Sequence, residues 1–137
     1  MNNYKDPTII EKILKNSKTI AIVGLSNRSD RPSYNVASYL AGKGYHIIPV
    51  NPMIKEIFGQ KSYPDLKSIP EKVDVVDIFR RSEDVGPIVD EAIETGAKAV
   101  WMQEGIINIE AAERARAAGI DVVMDLCMLK EHAKRMD

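Results

Sequence analysis

The sequence predicts a Rossmann-like α/β domain, in which a doubly wound parallel sheet lies between two layers of helices. Short apolar segments of strand length alternate along the chain with amphipathic segments of about ten residues, the pattern of successive βαβ units. The first of these apolar segments, residues 19–24, is apolar at nearly every position, which indicates a strand covered by helices on both faces. Right-handed crossovers between such strands then fix most of the topology.

The individual elements are predicted from apolar runs and from capping residues. The predicted strands cover residues 19–24, 46–50, 73–79, 99–102 and 120–124. Helices are predicted between them and at both ends of the chain, because N-cap and C-cap residues flank each amphipathic segment. The signals are Asp6 with Pro7, Pro32 with Gly44, Ser82 or Asp84 with Gly96, Asn108 with Gly119, and a last short helix from Met128.

The segment of residues 51–72 is predicted to be irregular, with a short strand at residues 61–63. Pro49 lacks a backbone donor, so it should lie at a strand end or where pairing stops. If residues 61–63 form an edge strand, the strand order becomes 3-2-1-4-5-6, and the first strand and the strand of residues 73–79 become neighbours at the switch point. Ligands of open α/β sheets bind there, beyond the carboxyl ends of the strands.

Composition limits the function classes. The 137 residues form one domain, residues 1–137, with 19 Lys plus Arg against 20 Asp plus Glu and a net charge of −1. This balance gives no general attraction to nucleic acid or to an anionic membrane, so any anion site must be local. The N-terminus has no signal-peptide pattern and no apolar run approaches the length of a membrane span, so we expect a cytoplasmic protein.

The loop after the first strand, residues 24–33, lies where a Rossmann domain holds phosphates. Gly24 permits a tight turn, and the helix that begins near Pro32 points free N–H groups at a ligand. The side chains suited to hydrogen-bond or neutralise phosphate are Ser26, Asn27, Arg28, Arg31 and Ser33. The competing interpretation is a polar surface loop with solvated arginines. On the first interpretation, Gly24→Val should block the phosphate and leave the fold largely intact.

The loop lacks the dinucleotide fingerprint G-x-G-x-x-G. Ser26 and Ser29 occupy two of its glycine positions, and Asn51 replaces the acidic residue expected at the end of the second strand. A NAD-dependent oxidoreductase is therefore disfavoured.

Other residues of the predicted crevice follow the neighbouring strands. Asn51, Pro52 and Lys55 leave the second strand, and a simple turn with a solvated lysine is the alternative for them. Phe79 and Arg80 end the strand of residues 73–79, where core packing is the usual role of the phenylalanine. A further candidate, Gln103, lies past the next strand and could hydrogen-bond an amide of a ligand.

Catalytic patterns are absent from the sequence. His46 and His132 have no nearby nucleophile with an orienting carboxylate, and no Cys/His cluster has metal-ligand spacing. The single cysteine, Cys127, excludes an intramolecular disulfide. Asp77 alternates with apolar residues and is interpreted as structural or crevice-lining.

Several motifs occur in one order along nearly the whole chain. They are Val23-Gly24-Leu25-Ser26, Arg31-Pro32-Ser33, Gly44-Tyr45, Ile48-Pro49-Val50-Asn51-Pro52, Val76-Asp77-Ile78-Phe79-Arg80, Gly96-Ala97-Lys98, Val100-Trp101-Met102-Gln103, Asp125-Leu126-Cys127 and Glu131-His132. This series resembles the small stand-alone CoA-binding domain proteins, which are similar to the N-terminal domain of the succinyl-CoA synthetase α subunit. Leu126 departs from the pattern, since the family usually has arginine before the cysteine.

The resemblance implies a domain that binds coenzyme A or an acyl-CoA as a sensor, carrier or regulatory module, with no activity of its own. By position, it places the phosphate turn at Gly24, Leu25, Ser26 and Asn27, the nucleotide beside Asn51, Pro52 and Lys55, and the opposite wall at Ile78, Phe79 and Arg80. The alternative is a CoA-site subunit of an acyl-CoA synthetase-like enzyme that needs a partner chain. A homo-oligomer also stays open.

Overall fold

A computed structural model describes residues 4–136, and its centre is a five-stranded parallel sheet with the order β2-β1-β5-β6-β7. The strands are β1 (Thr19–Val23), β2 (His46–Val50), β3 (Glu56–Ile57), β4 (Gln60–Lys61), β5 (Val75–Ile78), β6 (Ala99–Met102) and β7 (Asp121–Met124). β3 and β4 form a separate antiparallel hairpin. The predicted Rossmann-like fold is confirmed, with the switch point between β1 and β5.

Helices cover both faces of the sheet. They are α1 (Pro7–Asn16), α2 (Pro32–Gly42), α3 (Val85–Thr95), α4 (Ile109–Ala117) and α5 (Met128–Met136), and one 3-10 turn, Ser82–Asp84, precedes α3. One buried cluster joins the sheet to α1, α2 and α5, and the other joins it to α3 and α4. Two predicted N-caps are present: the side chain of Asp6 accepts from the N–H of Thr8 at 2.9 Å, and Asn108 accepts from Ala111 at 3.0 Å.

The predicted edge strand at residues 61–63 is reduced to one residue. Tyr63 pairs with Val50 in a single parallel bridge, in which Tyr63 donates to the carbonyl of Pro49 at 3.0 Å and accepts from Asn51 at 2.9 Å. Pro49 thus faces the outer edge of β2, where its missing N–H interrupts no ladder to β1. Counted with this bridge, the strand order is the expected 3-2-1-4-5-6 arrangement.

The β3–β4 hairpin is an element that the sequence analysis did not predict. Its two-residue turn has positive φ at both central residues, 55° at Phe58 and 72° at Gly59, as a type I′ turn requires. The usual signal for this turn is Asn-Gly or Asp-Gly. Because a phenylalanine occupies the first position, the sequence carries only half of that signal.

Asp74 and Asp77, three residues apart in the chain, have opposite environments. The carboxylate of Asp74 accepts from the N–H groups of Lys18 at 2.8 Å and Thr19 at 3.0 Å. Burial alone would raise the pKa of Asp74, but these hydrogen bonds and Lys98 lower it. Asp77 is fully buried, and neither of its carboxyl oxygens has a hydrogen-bond partner among the described residues.

Asp77 lies in the middle of the sheet, between Ile22 of β1 and Trp101 of β6 in the strand register. Burial among these side chains raises the pKa of Asp77 well above its ordinary value. Burial favours the neutral form of a carboxyl group in such a place, because the charged form loses its solvation without gaining a partner. Asp77 is therefore structural, and it does not line the crevice described below.

Replacing Asp77 with asparagine should change how stability depends on pH. The raised pKa means that the folded state binds a proton which the unfolded state releases above about pH 4. Wild-type stability should therefore fall as the pH rises from there toward the pKa of the folded state, by up to about 1.4 kcal/mol per pH unit. We expect the melting temperature of Asp77→Asn, relative to wild type, to increase from pH 4 to pH 7. A constant difference across that range would contradict a protonated Asp77.

Candidate functional site

A crevice of about 370 Å³ lies at the switch point, beyond the carboxyl ends of β1 and β5. Its lining residues are Gly24, Ser26, Arg28, Arg31, Pro32, Ser33, Asn51, Phe79 and Arg80. They come from four places in the chain: the end of β1, the loop into α2, the end of β2 and the end of β5. Sequence reasoning placed all but Pro32 at the site, and Pro32 belongs to it because it forms the first turn of α2.

Gly24 is the point at which the strand ends come closest. Its N–H donates to the carbonyl of Val50 at 2.9 Å, and its φ is 88°. A Cβ at this position would lie 2.2 Å from the carbonyl oxygen of Phe79 and 3.3 Å from Nε of Arg80. The expectation that Gly24→Val would block the phosphate and leave the fold largely intact therefore needs correction, because a side chain here first meets the protein's own backbone.

Hydroxyl groups hold the loop after Gly24 in one conformation. Oγ of Ser33 accepts from the N–H of Ser26 at 3.0 Å, and Oγ of Ser26 accepts from the N–H of Arg28 at 3.1 Å. Ser33 is buried, so the first of these bonds is protected from water. Each hydroxyl still has its own proton to donate. The two serines therefore shape the loop and can also donate to an anion in the crevice.

Asn51 connects two walls of the crevice. Its Nδ2 donates to the carbonyl of Leu25 at 3.0 Å, and its Oδ1 accepts from the N–H of Met53 at 2.9 Å. The side-chain amide thus ties the loop after β1 to the turn after β2. An aspartate could not donate the first of these bonds, which gives a physical reason for the amide at this position.

The first turn of α2 faces the crevice without a side-chain cap. Arg31 occupies the N-cap position and makes no capping hydrogen bond, in contrast to Asp6 of α1 and Asn108 of α4. Pro32 has no N–H, and the N–H of Tyr34 donates to the carbonyl of Arg31 at 3.1 Å, which leaves the N–H of Ser33 available to a ligand in this turn. The helix dipole favours an anion there.

The cations of this region differ in their partners. Arg28 pairs with Asp30 at 3.0 Å, and both side chains are largely exposed. Arg31, Arg80 and the nearby Lys55 form no ion pair with any described residue. Arg80 is half-buried, so its guanidinium has given up part of its hydration without a carboxylate in return. The crevice therefore has an excess of positive charge that the chain as a whole lacks.

Several predicted site residues lie outside the crevice lining. The side chains of Leu25 and Ile78 are fully buried in the two core clusters, so only their backbone can face a ligand. Gln103 is also buried, and its Oε1 accepts from the N–H of Met128 at the start of α5. Asn27, Pro52 and Lys55 are exposed beside the crevice.

Two further searches of residues 4–136 gave negative results. No group of three or more His, Cys, Asp or Glu side chains is arranged to hold a metal ion. In the same part of the chain, no helix is long and apolar enough to cross a bilayer.

The chain is similar to known proteins over nearly its whole length. The chain is 45% identical to the uncharacterized protein YneT of Bacillus subtilis over 124 residues, 90% of this chain and 92% of that protein. A solved structure of a hypothetical protein from Pyrococcus horikoshii is 39% identical and superposes with a TM-score of 0.93, covering 96% of this chain and 93% of that one.

A third relative is much longer than this chain. The acetate–CoA ligase (ADP-forming) II of Archaeoglobus fulgidus is 32% identical over 91 residues, which are 64% of this chain and 14% of the ligase. The profile of the CoA-binding domain family matches residues 18–133, nearly the whole chain. The protein belongs to this family of CoA-binding domains.

Proposed function

We propose that the protein binds coenzyme A or an acyl-CoA in the switch-point crevice and acts as a sensor, carrier or regulatory module. The observation that carries this proposal is the half-buried guanidinium of Arg80, which lies beside Gly24 without an acidic partner among the described residues. An arginine in this state is prepared for an anion from outside the chain. Family membership identifies CoA as the ligand to test first.

The charges of CoA fit the charges of the crevice. CoA carries a diphosphate and a 3′-phosphate, whereas this chain has a net charge of −1. Arg28, Arg31 and Arg80 line the crevice, and Lys55 follows Asn51 by four residues. We assign the diphosphate to the loop after Gly24, because that loop contributes Ser26, Arg28 and Arg31 to the crevice lining.

Binding without catalysis is favoured because no recognised nucleophile–base pair lines the crevice. His46 is paired with Glu71 at 3.2 Å, and Nδ1 of the buried His132 lies 2.9 Å from the hydroxyl of Tyr39. Cys127 is buried in the core. No described histidine or cysteine lines the crevice itself.

A second candidate function is a CoA-site subunit that works with a partner chain. Its support is the similarity to 14% of the length of an acetate–CoA ligase, a chain with room for other domains. The two functions differ in one measurement: acyl-CoA formation from acetate, ATP and CoA by the purified protein, alone and with a candidate ATP-dependent partner. Turnover only with the partner would favour the subunit.

The first prediction is that CoA raises the melting temperature and NAD does not. A ligand that binds only the folded state stabilises it by about 2.7 kcal/mol at a hundredfold excess over Kd, which corresponds to several degrees for a domain of this size. The measurement is a thermal shift against CoA, dephospho-CoA, NAD and FAD at equal concentrations. Equal shifts with NAD and CoA would overturn the assignment.

The second prediction concerns the crevice cations. Arg80→Ala and Arg31→Ala should each weaken CoA binding about ten- to a hundredfold, because a hydrogen bond to a charged group contributes roughly 1.5–3 kcal/mol. Lys55→Ala tests whether the exposed lysine reaches the 3′-phosphate. In that case the variant should bind CoA more weakly than wild type and bind dephospho-CoA with the same affinity. Arg28→Ala should have the smallest effect, because Arg28 already has a partner. Calorimetric titration at fixed salt measures all four.

Arg81 provides a matched control for this series. It is adjacent to Arg80, but its side chain is 76% exposed and pairs with Asp84 at 3.0 Å. Arg81→Ala should leave CoA affinity unchanged. A loss at Arg81 equal to that at Arg80 would indicate a diffuse charge effect instead of a crevice contact.

The third prediction is that Gly24→Ala loses stability and CoA affinity together. The added Cβ must displace the backbone of Phe79, and alanine is also strained at positive φ. Gly44→Ala is the control, because Gly44 has a φ of 97° but open space around its Cβ position. It should lose a smaller amount of stability and retain affinity. A folded Gly24→Ala with wild-type affinity would show that the strand ends need not approach so closely.

A further inference from the structure

Aromatic and apolar side chains are exposed on the β2 side of the crevice. Phe58, at the tip of the β3–β4 hairpin, is 41% exposed, and its ring lies 4.9 Å from the ring of Tyr34. Tyr34 directly follows the crevice residue Ser33 in α2. Met53, which is 88% exposed, is held by its hydrogen bond to the crevice residue Asn51. Tyr34 and Met53 thus connect these side chains to two residues of the crevice lining, Ser33 and Asn51.

Phe58 is held in this position against its backbone preference. Its φ of 55° lies in the left-handed region, where a bulky residue is a true outlier. Asparagine would suit this position of a type I′ turn better. The hairpin itself therefore does not require the ring, and a contact made by the ring gives a reason for its presence.

The position of this surface identifies what the ring contacts. In Rossmann folds the residue at the end of the second strand contacts the adenosine ribose, and Asn51 occupies that place here. A base attached to a ribose at Asn51 would lie on the β2 side of the crevice, away from the aromatic ring of Phe79 at the end of β5. A purine ring gains most from an aromatic face, and the exposed side of Phe58 is one.

We propose that Phe58, supported by Tyr34, forms an aromatic platform on which the adenine ring of the bound nucleotide stacks. The inference rests on the proposed function, because it assigns one part of CoA to one part of the same site. It divides the ligand in two: the adenine lies on the hairpin side, while the pantetheine arm extends away from it toward β5 and β6.

The test is the Phe58→Asn variant. Asparagine suits the turn, so the melting temperature without ligand should be kept or raised, while the stacking surface is lost. We expect the affinity for CoA and for adenosine 3′,5′-diphosphate to fall about five- to a hundredfold, the range of one base–aromatic stack. The affinity for 4′-phosphopantetheine, which has no adenine, should stay unchanged. Phe58→Tyr keeps an aromatic face and should retain CoA affinity, whereas Phe58→Leu keeps only an apolar one and should lose it.

Each result decides between the platform and its alternatives. If wild type binds CoA and Phe58→Asn binds it with the same affinity, the platform is overturned and the proposed function stays in place. Wild type without affinity for CoA would overturn both. Equal losses for CoA and 4′-phosphopantetheine would assign Phe58 to general structure of the crevice. Loss of a dimer in analytical ultracentrifugation, with nucleotide affinity intact, would assign the surface to a second copy of the chain.

Discussion

Gly24 is in contact with the ends of both neighbouring strands, and the shape of the crevice depends on that contact. The hydrogen bond from its N–H to Val50 fixes the distance to β2, and the carbonyl of Phe79 occupies the space that a Cβ would need. The backbone at the end of β1 therefore fixes where Phe79 and Arg80 lie in the crevice wall. The loop beyond Gly24 is also fixed by the hydrogen bond from the N–H of Ser26 to Oγ of Ser33. The shape of this loop therefore depends on contacts within the chain.

Charge is distributed so that attraction to an anion is local. At the surface, described acidic side chains pair with cations, as Asp84 does with Arg81 and Glu104 with Lys130. Such exposed pairs contribute little to stability. The crevice differs, because Arg31 and Arg80 have no acidic neighbour within ion-pair distance among the described residues. A net charge of −1 thus coexists with a locally positive crevice, and long-range attraction to polyanions stays weak.

The sequence predicted the fold and most of the crevice because both depend on local, periodic signals. Apolar runs and caps located the five main strands, and the loop after the first strand is at a fixed place in this topology. Six predicted site residues, among them Leu25, Ile78 and Gln103, lie outside the crevice lining, because position past or near a strand end does not reveal which way a side chain points. Leu25 and Ile78 turn into the core, and Gln103 turns toward the start of α5. The hairpin was missed because Phe58 replaces the residue that usually indicates its turn.

The two non-glycine residues with positive φ among residues 4–136 help to separate structural strain from strain that serves binding. Asp125, which follows β7, has a φ of 63°. Its carboxylate accepts from the N–H of Gly105 at 2.7 Å and pairs with Lys5, and these contacts offset the backbone strain. Aspartate also tolerates this conformation. Phe58 has no polar side chain to make such a contact, and its ring lies 4.9 Å from the ring of Tyr34. The strain at Phe58 is thus not balanced by any polar contact within the chain, and it lies on the same side of the molecule as the uncapped start of α2. The strained backbone of Phe58 and the uncapped start of α2 thus lie where contacts with a nucleotide would stabilise them. A ligand that made those contacts would raise the stability of the folded domain.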